Sequence, residues 1–219
     1  MKIIINESQL RLIVENEDKL KLFPVPNDFL KIAGGVRKAL KVYNDKKDIK
    51  GWDGIKIVGD MYYFDMEYDL LSDIELFFNE IVYVTGDLVL PVGDYKNSFN
   101  KLKVIEGDLR GTDVWNISLP ELEYVNGDLG LNGSGIEELP KLKEVGGNLF
   151  LTLSDINSLP ELEYVGSMLA LRGTKIESLP KLNYVDSVLV LSNTPLSKTT
   201  TEEELRNKID VGGEIRLWN

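Results

Sequence analysis

Leu-Pro recurs at Leu119-Pro120, Leu139-Pro140, Leu159-Pro160 and Leu179-Pro180, a spacing of 20 residues with no insertion. A fixed period of that length is the signature of a solenoid, whose units are too short to bury an apolar face alone and bury it against their neighbours. Other columns keep step: Leu122, Leu142, Leu162, Leu182; Val125, Val145, Val165, Val185; Leu129, Leu149, Leu169, Leu189; Leu131, Leu151, Leu171, Leu191; and Ile136, Ile156, Ile176, Leu196. These columns are the expected core.

Leucines two apart, as in Asn148-Leu149-Phe150-Leu151-Thr152, alternate inward and outward as a strand does, which predicts one short parallel strand per coil. Gly, Ser, Asn and Thr between strands supply turns, and the Leu-Pro step favours an extended return. The pattern continues less regularly upstream, at Ile105 to Leu109, Val84 to Leu88 and Ile57 to Met61, and downstream at Val211 to Leu217 after the polar insert Ser197 to Asp210. The expected organisation is an N-terminal helical cap or docking segment over residues 1–56 and a solenoid over 57–219. Regular repeats run from about 99 to 196, and a closing coil occupies 197–219.

Charge alternates with the same period. The residue before the second core leucine runs Lys101, Glu121, Lys141, Glu161, Lys181, and its neighbour two on runs Lys103, Glu123, Lys143, Glu163, Asn183. Stacking brings opposite charges together, and a one-coil slip would bring like charges together, so the columns set register.

The element Leu149-x-Leu151-x-x-Ser154-x-Ile156-x-x-Leu159-Pro160 resembles the leucine-rich-repeat superfamily. The 20-residue length is similar to short bacterial repeats, and Val125-Asn126-Gly127-Asp128-Leu129 is similar to receptor L-domain elements. The resemblance implies a mainly β solenoid, a leucine-rich-repeat stack of short parallel strands, whose surface binds proteins. Where such repeats carry an asparagine ladder this chain has Ser134, Ser154, Thr174 and Thr194. Related bacterial ligases with a cysteine nucleophile are excluded, because the chain has no Cys.

An open solenoid end exposes core leucines and strand edges, and the N-terminal segment suits the task of covering one. Asn6 with Gln9 in the capping-box position, followed by Leu10, Ile13 and Val14 on one face, predicts an amphipathic helix from about Glu7 to Leu20. Phe23-Pro24-Val25-Pro26 breaks it, and a second helix is expected through Val36 to Tyr43. The opening Met1 to Leu10 resembles short leaders on phage-encoded proteins, which implies the host cytoplasm or a virion as its location. The apolar run Ile3 to Ile5 is too short for a signal peptide, and no window approaches a membrane span, so a cytoplasmic protein with no membrane partner is expected.

Chemistry is narrowed by what is missing. Without His or Cys there are no imidazole or thiolate ligands, no thiol nucleophile and no Ser-His-Asp triad. Paired carboxylates remain, but Asp60, Asp87, Asp108 and Asp128, continued by Asn148, form one repeated column that reads as hydrogen-bonding rather than catalytic. No enzyme activity, cofactor or metal is expected. With 25 bases, 36 acids and a net charge of -11, no nucleic-acid partner is expected either. Eight bases fall between Lys31 and Lys56, against nine acids and no base from Ile57 to Tyr95, where Met61 to Asp69 and Phe77-Phe78 interleave aromatics.

The strand face remains. Phe150, Met168, Ala170, Val188 and Val190 are expected to point outward as a contiguous apolar patch flanked by Arg172 and Trp218, a candidate site for a protein partner or for self-association. The expected function is a non-enzymatic protein-binding module. The alternatives are a structural component of a larger assembly such as a virion, and an acidic inhibitor that mimics nucleic acid.

Overall fold

In the computed structural model, residues 22–26, 54–58, 61–62, 78–90, 92–94 and 99–217 are described. They form a β-solenoid of stacked parallel strands. Each 20-residue coil contributes two strands, not the single one expected from the paired leucines. A nine-stranded sheet collects Leu22–Pro26, Gly54–Val58, Ile81–Val84, Val104–Ile105, Tyr124–Val125, Glu144–Val145, Tyr164–Val165, Tyr184–Val185 and Asp210–Val211. An eight-stranded sheet collects Met61–Tyr62, Leu88–Leu90, Leu109–Gly111, Leu129–Gly130, Leu149–Phe150, Leu169–Ala170, Leu189–Val190 and Ile215–Arg216. A two-stranded ladder joins Gly93–Asp94 to Val114–Trp115.

The core lies between the sheets. Leu119, Leu122, Leu129, Leu131 and Ile136 and their counterparts one and two coils on are sealed from solvent, as is the valine column from Val125 to Val185. Each such leucine contributes about 1.5–3 kcal/mol on burial. The turn after each leucine pair depends on the hydroxyls at Ser134, Ser154, Thr174 and Thr194. All four are buried, and each donates to the carbonyl three residues back, Leu131, Leu151, Leu171 and Leu191, at 2.7 Å.

The residue before each hydroxyl has a left-handed backbone: Gly133, Leu153, Gly173 and Asn193 have φ of 65, 58, 71 and 60°, as has Asp113, at 51°, before Val114 in the coil upstream. Glycine and asparagine accept this conformation readily, whereas a leucine is strained by about 1–2 kcal/mol. Leu153 is also 70% exposed and so recovers little by burial. Leu153→Gly is therefore expected to raise stability by roughly 0.5–1 kcal/mol, part of the relief being lost to the freer unfolded chain. An unchanged or lower urea midpoint would contradict this.

Backbone polarity differs between the sheets. Amides at the nine-stranded sheet donate to the preceding coil, as Asn126 to Ile105, while those at the eight-stranded sheet donate to the following one, as Leu129 to Asn148. The last coil therefore presents unpaired carbonyls on the first sheet. The insert before it folds into two short helices, Pro195–Thr199 and Glu202–Arg206, the second opened by a Thr201/Glu204 capping box. Arg206 donates to Val211 O at 3.1 Å and Gly213 O at 2.9 Å, taking the place of a further coil at that edge.

The charge columns pair across coils: Lys101–Glu80 at 2.8 Å, Lys141–Glu121 at 2.6 Å, Lys181–Glu161 at 2.5 Å and Lys143–Glu123 at 2.6 Å. In each pair the lysine belongs to the later coil. With Lys181 and Glu161 49% and 37% exposed, Glu161→Lys is expected to cost only up to ~1 kcal/mol at low salt, and less at high salt. Unchanged stability at low salt would show that the column does not set register.

The helices expected at Glu7 to Leu20 and Val36 to Tyr43, and Trp218, lie outside the described residues. Leu22–Pro26, read from sequence only as a helix break, is instead a strand paired in parallel with Gly54–Val58. Its two prolines lack an N–H, and the strand lies at the end of the sheet order, where prolines are tolerated.

Candidate functional site

The eight-stranded sheet sets the predicted patch in register. Gly130 pairs with Phe150, Phe150 with Ala170, Ala170 with Val190 and Val190 with Arg216. Met168 and Val188 precede the buried Leu169 and Leu189, on the outward side of the pleat, and are half-buried like Phe150 and Val190. Ala170 is only 7% exposed, which makes it the floor between Phe150 and Val190 rather than a contact surface. Arg172 is exposed two residues along the same face. Beyond Phe150, Gly130 would meet nothing within 4 Å if it carried a Cβ, so the patch is bordered by an open step. Arg110 and Arg216, which flank Gly130 and Val190 in this row, pair with Asp108 and Glu214 two residues back in their own coils.

The carboxylate column beside the patch is a hydrogen-bond ladder. Asp87 Oδ1 accepts from the Asp108 amide at 2.8 Å, Asp108 Oδ1 from Asp128 at 2.6 Å, Asp128 Oδ1 from Asn148 at 2.8 Å, and Asn148 Oδ1 from Met168 at 3.2 Å. Among the described residues no group of three or more Asp or Glu is placed to hold a metal ion. Nor is any helix among them long and apolar enough to cross a membrane.

Sequence reading missed the other face. On the nine-stranded sheet the register row is Tyr83, Val104, Tyr124, Glu144, Tyr164, Tyr184, Asp210, buried at Tyr83 and Val104 and reaching solvent from Tyr124 onward. Lys143 Nζ lies 5.5 Å from the centre of the Tyr124 ring and 2.6 Å from Glu123 Oε2. The hydrogen bond to Glu123 holds the Lys143 ammonium above its ordinary pKa, and burial raises the Tyr124 phenol. Tyr164 and Tyr184 stack at 5.0 Å and 3°. Tyr184 donates to Asp186 Oδ1 at 2.7 Å, and that bond pushes its pKa up to about 12. Burial, then Asp186 and Glu144, raise the Tyr164 phenol. The tyrosine column was visible at the 20-residue spacing, but its outward direction required the second strand of each coil.

Compared with known proteins, the chain matches no protein-family model, no curated protein and no solved structure.

Proposed function

We propose that the chain is a leucine-rich-repeat solenoid acting as a non-enzymatic protein-binding module, with Phe150, Met168, Val188 and Val190 as its contact surface and Ala170 as the floor. The observation that carries this reading is the register Phe150–Ala170–Val190, which sets the apolar side chains of Phe150 and Val190 on either side of the small Ala170 across three coils. Apolar anchors of this kind dominate protein interfaces because their burial needs no exchange of hydrogen bonds with water. Arg172 supplies a polar rim.

The test is capture of a partner from the native host by tagged wild-type protein and by Phe150→Glu and Met168→Glu variants. Capture is expected to fall at least about tenfold in each variant, the cost of burying an unpaired carboxylate in the interface, while the melting temperature stays nearly unchanged. Capture that survives both substitutions in folded protein would move the site elsewhere. A shift of oligomeric state by light scattering would assign the patch to a second copy of the chain.

A further inference from the structure

We infer that the outer face of the nine-stranded sheet at Tyr164 and Tyr184 docks an arginine-bearing segment of a partner protein. This surface is separate from the Phe150 patch, so it stands or falls independently of the function proposed above.

The chain contains its own template for the contact. In one coil Glu123 and Tyr124 receive Lys143 from the next, the ammonium bonded to the carboxylate at 2.6 Å and held 5.5 Å over the ring. Two coils on, the acid and the aromatic are kept as Glu163 and Tyr164, but the position of the lysine holds Asn183. The alternation of charge stops there. Asp186 and Asp210 join Glu163 at exposed positions around the stacked rings. Among the described residues no lysine or arginine pairs with any of these three carboxylates.

Two further observations mark the same face. Tyr164 Oη is buried without a hydrogen-bond partner among the described residues, a state that native structures seldom leave unused. Moreover, acidic groups adjoin Tyr184 on two sides: its hydroxyl donates to Asp186 and its register partner on the next strand is Asp210. A planar guanidinium matches both halves of the site, stacking on the rings while its N–H groups meet carboxylates. A phosphate-bearing partner would be repelled.

The probe is a capped tetra-arginine peptide titrated into the full chain at low salt, followed by the ring signals of Tyr164 and Tyr184 in NMR. Saturable binding to the wild type is expected. Glu163→Gln combined with Asp186→Asn should weaken it at least about tenfold, whereas Glu137→Gln combined with Glu177→Gln, which removes the same charge elsewhere, should change it less than about twofold. Asn183→Lys should also weaken it about tenfold by supplying an internal cation, as Lys143 does for Glu123. These positions are exposed, so folding is retained, and a thermal melt of each variant verifies it. The proposal is overturned if the peptide does not bind, if a tetra-glutamate peptide binds as well, or if both double variants lose affinity equally.

Discussion

Leu151→Ala is expected to lower stability by about 2–5 kcal/mol, seen as a fall in urea midpoint at unchanged slope. Leu151 is 0% exposed and lies in a column between Leu131 and Leu171, which are equally sealed. Coils on both sides hold the walls apart, so the cavity cannot collapse without moving the stack. The carbonyl of Leu151 also accepts the Ser154 amide at 3.1 Å and the Ser154 hydroxyl at 2.7 Å, so relaxation of the backbone there would disturb the next turn. Leu196, which is only partly buried against the core near the closing coil, provides the contrast. Its change to alanine should cost less than half as much. Equal costs would mean that depth in the stack does not control the penalty, and a negligible cost at Leu151 would remove it from the core.

Gly127→Ala is expected to be similarly damaging, at about 2–6 kcal/mol, though glycine to alanine adds one methyl. A Cβ on Gly127 would lie 2.0 Å from Asp108 Oδ1 and 2.8 Å from the carbonyl carbon and oxygen of Gly107. Asp108 must swing away and give up its 2.6 Å bond to the Asp128 amide, leaving that donor without its acceptor at a cost of about 1–3 kcal/mol. The backbone of the neighbouring coil must also shift, which adds an overpacking term of about 1–3 kcal/mol. Because the same hydrogen bond is lost in either variant, Gly127→Ala with Asp108→Ala should cost less than the sum of the single changes by at least about 1 kcal/mol. Strict additivity would refute the interlock.

That interlock gives a physical reason for the recurring Gly-Asp pair. The aspartate of one coil occupies the space that a side chain would fill at the residue preceding the aspartate of the next. Gly107 and Gly147 stand in the same relation to Asp87 and Asp128, each at 2.3 Å. Serine already replaces glycine at Ser167, opposite Asn148, where the ladder bond to the Met168 amide is longest at 3.2 Å, and again at Ser187, opposite Met168. From sequence the aspartate column was readable as hydrogen-bonding; the close approach behind the glycines was not, since it depends on atoms 20 residues apart.

Period, core columns and charge pairing were determined by the sequence alone. A strict repeat forces equivalent residues into equivalent surroundings, so one apolar column is a core column in every coil, and acids and lysines one period apart must meet. What the tertiary structure decided lies where pairing is made only with the neighbouring coil. The Tyr-Val strands are two residues long, too short to display an alternating pattern, and only their ladder turns Tyr124, Tyr164 and Tyr184 outward. Leu22–Pro26 becomes a strand because Gly54–Val58 offers it an edge, and Arg206 becomes a cap because the last coil leaves carbonyls unpaired. Hydrogen bonds between coils are satisfied by position in the stack, and a residue's identity does not state which edge it will meet.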